Sequence, residues 1–330
     1  MPGNCTYLNG NSLGPLPLRA RHHVSEVLRQ WEQLGVEGWW RARLSATLAA
    51  EEMEASWFEL AEKLAPALAR IVGAEPKEVI ATGTITQNLH QLLATFYAGN
   101  GDLLATSLDF PSDSHVLRSW ARRLGKTVRL VPAADDGYSL DPKVIEDMLA
   151  EPGLEVAVLP TVLYRSGQLL DVQKLSKIAR DNGVFLIWDA AHSAGIVDHH
   201  FHDDEVDAAV WCNYKYLSGG PGCPGAVFLH SRHHEEEAGS GASREAGLPG
   251  WWGNDKATQF EMRLAHEPAG GAWGLQTGTP CIVGLAALAG ALEVFEDVDM
   301  EEVRRQSLRM SDYLYRQIRR LLPEVVVETP

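Results

Sequence analysis

Basic residues are scarce in this 330-residue chain: 29 Lys and Arg stand against 44 Asp and Glu, a formal charge of −15. Without a basic surplus there are no counterions to release from a phosphate backbone, which argues against nucleic acid as a partner. The same acidity disfavours docking on anionic lipid. Cysteine is scarce as well. Four residues (Cys5, Cys212, Cys223 and Cys281), with no C-x-x-C among them, cannot form a disulfide scaffold and read as reduced thiols of a cytoplasmic protein. No run of about 18 apolar residues occurs, so no transmembrane helix is expected. Met1–Tyr7 shows neither the basic nor the apolar region of a signal peptide. What remains is globular in proportion, 45% hydrophobic and 22% charged, with a length that allows about two domains.

Residues 16–72 are rich in Ala, Leu, Glu and Arg and read as helical, with apolar residues at three- and four-residue spacing (Trp57, Leu60, Leu64, Leu68, Ile71) and a stop at Gly73. From about residue 78 the texture changes to short β-rich runs: Glu78–Ala81, Asp102–Ser107, Thr127–Val131, Val156–Leu159, Val184–Trp188, Ala208–Trp211 and Ala226–Leu229. Helical patterns separate many of them, at Thr86–Tyr97, Ser114–Leu124, Asp141–Ala150 and Val172–Asn182. Near-continuous apolar strands alternating with helices predict an α/β fold, a mostly parallel sheet flanked by helices on both faces. Residues 231–272 read as loop. Ile282–Leu322 reads as helix broken near Asp297–Asp299, and residues 324–330 read as the start of a strand. The expected division is a helical segment at 1–72, a large α/β domain at 73–280, and a connecting helix at 281–330 opening an incomplete C-terminal small domain.

In such sheets ligands sit beyond the carboxyl ends of the strands. The segments there are Thr82–Asn88, Asp109–Asp113, Pro160–Thr161, Asp189–His192 and Asn213–Lys215. The first is a hydroxyl-rich turn opening a helix; it serves either as a plain cap or as an anion site built on free backbone N–H groups and Thr86. Asp189, directly after an apolar strand, is a costly carboxylate unless it meets a cation. Lys215 lies 26 residues further on, at the end of the next strand-like run. A carboxylate and a lysine on adjacent strand ends, beside an anion-binding helix start, match the needs of pyridoxal 5'-phosphate. The carboxylate keeps the pyridine nitrogen protonated, the lysine forms a Schiff base, and the helix start holds the phosphate. Phe110, at a fourth strand end, is placed to stack on the ring.

These segments carry a specific resemblance. Tyr7–Gly14, Ile85–His90, Phe110–Asp113, Trp188–Gly195, Cys212–Gly222, Gly250–Gly253 and Thr277–Pro280 resemble, in order, the signature blocks of the kynureninase family. That family is a fold-type I group of pyridoxal-phosphate enzymes in the class-V aminotransferase branch. The resemblance implies that Lys215 carries the cofactor, Asp189 pairs with its ring nitrogen with Asp113 nearby, and Phe110 stacks on the ring. It further implies that Ile85 and Thr86 cradle the phosphate, that Tyr214 contacts the phosphate and donates a proton, and that His192 lies close. Trp251 and Thr279 would reach the phosphate from the second subunit of a homodimer. The activity implied is hydrolysis of kynurenine or 3-hydroxykynurenine, small-molecule amino acids, to anthranilate or its 3-hydroxy form and alanine in tryptophan catabolism.

The chain departs from the family pattern in three places. The early helices read Leu34–Trp40, without the family's histidine. Pro160 stands where a hydroxyl residue is usual, which brings in Thr161, one place on, as the cofactor-binding candidate. The third departure is at the C-terminus, where no block matches the family's arginine for the substrate α-carboxylate. A desulfurase-like lyase of the same branch would need a nucleophilic cysteine on a mobile loop, which none of the four clearly provides. A third reading is a cofactor-binding homologue with little activity.

Several motifs read as structural. His199–Asp204 and His233–Glu237 lack metal-site spacing and read as exposed polar segments, so no metal is expected. Ser218–Gly225 lacks the Lys-Ser/Thr of a P-loop and reads as backbone approaching the cofactor. The tryptophans between 31 and 57 read mostly as core, and Trp251–Trp252 as a loop pair able to touch an aromatic ligand.

Overall fold

All seven apolar runs between residues 78 and 229 line up in one sheet, and the turns between them decide where its open edge faces. The computed structural model describes residues 6–48, 51–236 and 239–330; Cys5 and Glu237 lie outside them. In chain order the elements are α1 (Leu18–Leu34), α2 (Gly38–Arg41), β1 (Leu44–Leu48), β2 (Glu51–Ala55), α3 (Leu60–Val72), β3 (Val79–Ala81), α4 (Ile85–Phe96), β4 (Asp102–Thr106), α5 (Pro111–Leu124) and β5 (Val128–Val131). There follow α6 (Pro142–Leu149), β6 (Leu154–Pro160), α7 (Val172–Asp181), β7 (Phe185–Asp189), β8 (Ala208–Trp211), β9 (Ala226–Leu229), α8 (Ile282–Leu292) and α9 (Met300–Leu321). The sheet order is β3-β9-β8-β7-β6-β4-β5, and β9 alone runs antiparallel to its neighbours. Apart from the edge strand β5, its strands are largely buried on both faces, which is why they read as unbroken apolar runs rather than as an alternation. This is the mostly parallel, helix-flanked fold expected from the sequence.

Residues 42–59 differ from the expectation. β1 and β2 form an antiparallel hairpin in register Leu44↔Ala55 through Leu48↔Glu51, within a stretch that reads as helical by composition. Leu44, Ala46 and Leu48 turn inward while Ser45 and Thr47 turn out, a period of two that outweighs the helix propensity of Ala, Leu and Glu. The tryptophans nearby are less buried than expected. Trp57 is core, but Trp31 and Trp40 are exposed. At the other end, residues 323–330 form no strand, and Val326 is exposed.

Aromatic side chains fill the space beneath the sheet. Phe201, Trp211 and Phe228 are fully buried, with Phe228 5.4 Å from Phe201. Phe228→Ala should cost about 3–5 kcal/mol, from the lost burial and the cavity left behind, read as a lowered urea midpoint with unchanged slope. α8, apolar all round, packs on α1. The two backbones approach so closely that a Cβ on Gly290 would stand 2.4 Å from the carbonyl carbon of Arg19.

The His199–Asp204 segment is not the exposed loop its composition implies. His199 and Phe201 are buried, and Nδ1 of His202 lies 2.9 Å from Oε1 of the fully buried Glu78. Glu78 also accepts the N–H groups of Glu75 and Ser231. His230 completes a cluster with one potential ligand atom from each residue, all within 4.8 Å of one another; its ring stacks on that of His202 at 5.0 Å, and its Nδ1 accepts the Arg232 N–H. His233 and His234 are half-buried rather than solvated, at 2.8 Å from Asp207 and 2.9 Å from the Leu229 carbonyl.

The hydrogen bond to Glu78 raises the His202 pKa above 6.5, while backbone and imidazole donors hold Glu78 below 4.5 against the opposing effect of its burial. The His202 contribution is complete below pH 6.5 and is lost as pH rises through its raised value. The Glu78 contribution is present above pH 4.5 and is lost as pH falls through its lowered value. The pair should therefore support the fold best between about pH 4.5 and 6.5. Glu78→Gln should flatten the fall of the thermal midpoint on either side of that window.

Candidate active site

At the carboxyl edge of the sheet a cavity of about 550 Å³ opens between the ends of β3, β7 and β8 and the start of the antiparallel β9. Each wall comes from a strand end. β7 ends in Asp189, whose Oδ1 accepts the Ala191 N–H at 2.8 Å. β8 leads through Asn213 to Tyr214 and Lys215. Asn213 is fixed by the Trp211 indole N–H on its Oδ1 and by its own amide on the Pro224 carbonyl, which sets the direction of the loop carrying the lysine. The Nζ of Lys215 lies 2.9 Å from Nε2 of His192. Burial, with the lysine charge second, lowers the His192 pKa to about 4, so that imidazole is neutral at pH 7.

The floor is acidic. Asp113, on the first turn of α5, is hydrogen-bonded to Asp189. Burial first, and the Asp189 charge second, push the Asp113 carboxyl up to about 10. Burial also raises Asp189, opposed by the Ala191 N–H and by Lys215. Asp113 is therefore the protonated member and donates to the Asp189 carboxylate, while its Oδ1 is buried without a partner. Asp109, unremarked in the sequence except as the start of a strand-end segment, is held by Thr106 and pushed up to about 7 by its burial.

The opposite wall is the N-terminus of α4. The Thr84 hydroxyl takes the Gln87 N–H, and the N–H groups of Ile85 and Thr86 have no acceptor within the helix. Those first-turn amides and the positive end of the helix dipole face an anion. Phe110 stands at the mouth, half exposed, with Tyr164 edge-on at 5.4 Å and 82°. Asn9, Asn11 and Ser12 close the remaining side. Their segment is tied down by the Gly14 N–H on the Tyr214 carbonyl, so tightly that a Cβ on Gly14 would lie 2.3 Å from the Lys215 carbonyl oxygen. The Tyr214 hydroxyl pairs with the Cys212 thiol, and burial raises both pKa values.

Most of the residues expected from the sequence converge here: Ile85, Thr86, Phe110, Asp189, His192, Tyr214 and Lys215 line the cavity, and Asp113 supports it. Three do not. Thr161 is fully buried behind Asp189, its hydroxyl turned to Ser193 rather than to the cavity. Trp251 is exposed against Phe260 and Trp252, and Thr279 is exposed on a loop; neither lines the cavity of this chain. Trp252 is buried against Trp39 and Phe58 rather than free to meet a ligand. Tyr164, Asn9, Asn11 and Ser12 were missed as individual lining residues, because aromatic and amide side chains in turns carry no distinctive spacing.

The pattern of the family described as Aminotransferase class-V matches residues 43–329. Kynureninase of Geobacillus thermodenitrificans is 41% identical over 321 residues, 95% of this chain and 70% of that protein. The chain belongs to the kynureninase family. A second kynureninase, from Shouchella clausii, is 37% identical over 316 residues, 93% of this chain and 69% of the relative. Among solved structures, the cystine C-S lyase C-DES superposes with a TM-score of 0.76 at 23% identity, covering 97% of this chain and 80% of that one. An apo cysteine desulfurase from Thermococcus onnurineus gives 0.73 at 19%, covering 96% and 73%. At these identities the structures establish a shared fold, while the kynureninases share the sequence itself.

Proposed function

We propose that this protein hydrolyses L-kynurenine or 3-hydroxykynurenine to anthranilate or 3-hydroxyanthranilate and L-alanine, with pyridoxal 5'-phosphate as cofactor. The observation that carries this reading is the union of kynureninase sequence across the chain with a cavity polarised to fit that cofactor. The fit is chemical. The buried Asp189, backed by a protonated Asp113 with an unpartnered oxygen, calls for a cationic ring N–H. The α4 N-terminus calls for a phosphate, and Lys215 stands between the two.

When bound, the cofactor supplies an aldehyde for the substrate amine and a ring that accepts electrons. The protein would do the rest. Lys215 would hold the aldehyde and, once displaced by the substrate amine, move protons with its free Nζ. Neutral His192 is positioned to accept a hydrogen bond from that Nζ and orient it. Asp189 would keep the ring nitrogen charged. Phe110 would cover one face of the ring and exclude water. Tyr214, a phenol kept protonated by burial, would donate to the carbon released as alanine.

The desulfurase alternative needs a thiolate. Cys212 and Cys223, which line the cavity, are held as thiols by burial, and Cys281 is outside it. Exposed Trp251 and Thr279, without a role in their own cavity, support a homodimer in which each subunit completes the other's site. Among the described residues no helix is long and apolar enough to cross a membrane, and three cysteines are free thiols, which fits a cytoplasmic location. The reading is tested by adding kynurenine to the cofactor-loaded protein. Anthranilate fluorescence should rise with alanine; silence from a protein that shows the Lys215-dependent visible band would reject the substrate, not the cofactor.

A further inference from the structure

Thr161 was expected to touch the cofactor, and its displacement behind Asp189 exposes a second arrangement. Three buried polar side chains follow one another there. The Nε2 of His199 lies 2.8 Å from Ser193 Oγ, which lies 2.7 Å from Thr161 Oγ1, which lies 3.2 Å from the Asp189 carbonyl oxygen. Thr161 and Ser193 are fully buried and His199 nearly so. Three polar groups placed in a core are costly unless every contact is a hydrogen bond.

Counting protons gives one direction in which all three contacts are hydrogen bonds. A carbonyl only accepts, so in that direction the Thr161 hydroxyl donates to Asp189. Its oxygen then accepts from Ser193, whose hydroxyl also lies 3.3 Å from the Ala190 carbonyl, and Ser193 accepts from His199. In the reverse direction Thr161 and the carbonyl would face each other as two acceptors. Burial lowers the His199 pKa to about 3, so the ring is neutral and has one proton to give, which this order places on Nε2. The Asp189 carbonyl thus receives two donors, the Thr161 hydroxyl and the Thr161 N–H at 2.9 Å.

We propose that His199, Ser193 and Thr161 form a directed hydrogen-bond wire that positions Asp189 beneath the cofactor's ring nitrogen. These are positioning residues; none lines the cavity. The wire ties the last residue of β7 to the residue after β6 and to the turn carrying His192, so breaking it removes one of the two donors on the Asp189 carbonyl and loosens the strand end that carries the carboxylate. The inference rests on the reading that Asp189 faces pyridoxal phosphate.

The test is titration of cofactor-free protein with pyridoxal 5'-phosphate, following the visible band. Wild type must bind first; a wild type without a Lys215-dependent band overturns the functional reading and this inference with it. Given binding, Thr161→Val, Ser193→Ala and His199→Leu should each weaken Kd about tenfold, the worth of one buried hydrogen bond. Thr161→Val combined with Ser193→Ala should be no weaker than the weaker single variant, because a wire is broken only once. His199→Gln, whose side-chain amide can replace the Nε2–H donor, should stay within about threefold of wild type. Unchanged Kd in the single variants, additive losses in the double variant, or equal losses for His199→Leu and His199→Gln would each overturn the wire. Should Ser193→Ala fail to fold, the Leu and Gln pair at His199 decides alone.

Discussion

Lys215→Ala is expected to abolish the visible absorbance of the cofactor-loaded protein and to reduce kynurenine hydrolysis by about a thousandfold or more, since both the covalent tether and a proton carrier are lost. The fold should survive. Lys215 sits in a loop whose course is set by Asn213, through bonds to Trp211 and Pro224 that the substitution leaves intact. The thermal midpoint of the cofactor-free variant should therefore match wild type, while the shift on adding cofactor shrinks. A variant that keeps the visible band would remove Lys215 from its assigned place.

Asp189→Asn should cost about a hundred- to a thousandfold in turnover, because it keeps the shape of the side chain but removes the charge that faces the ring nitrogen. The neighbourhood makes this substitution informative. Asp113 is protonated because Asp189 is its acceptor in a buried site; with a neutral amide opposite, the Asp113 carboxyl should fall from about 10, eased of the repulsion between two carboxylates although not of its burial. Asp113 can then ionise in part and substitute for its neighbour. Turnover of the Asp189→Asn protein is expected to recover partly as pH rises, whereas the double variant with Asp113→Asn should show no such recovery. The measurement is initial rate against pH for both proteins.

The sheet and the heart of the site were legible in the sequence for one reason: strands buried on both faces read as unbroken apolar runs, and their ends are marked by residues that cannot stay buried without a purpose. Asp189, Lys215 and Phe110 stand out on that logic, and the resemblance to kynureninases adds His192 and Tyr214. What composition hid was short-range geometry. The Leu44–Ala55 hairpin is built from helix-favouring residues, and only its inside–outside alternation reveals it. His199 and Phe201 look solvent-facing among histidines and aspartates, yet both are buried because the segment turns under β8 and β9. Thr161 turns its hydroxyl to Ser193 and the Asp189 carbonyl rather than to the cavity, a direction that residue type alone does not mark. Trp251 and Thr279 do not line the cavity of their own chain.

One measurement bears most directly on the central claim. Protein loaded with pyridoxal 5'-phosphate is given L-kynurenine, and separately L-cysteine, and products are quantified. The account predicts anthranilate and alanine in equal amounts from kynurenine, lost in Lys215→Ala, with no sulfide released from cysteine. Alanine from cysteine, with the sulfur released as sulfide by an added thiol reductant, and no anthranilate from kynurenine, would contradict it.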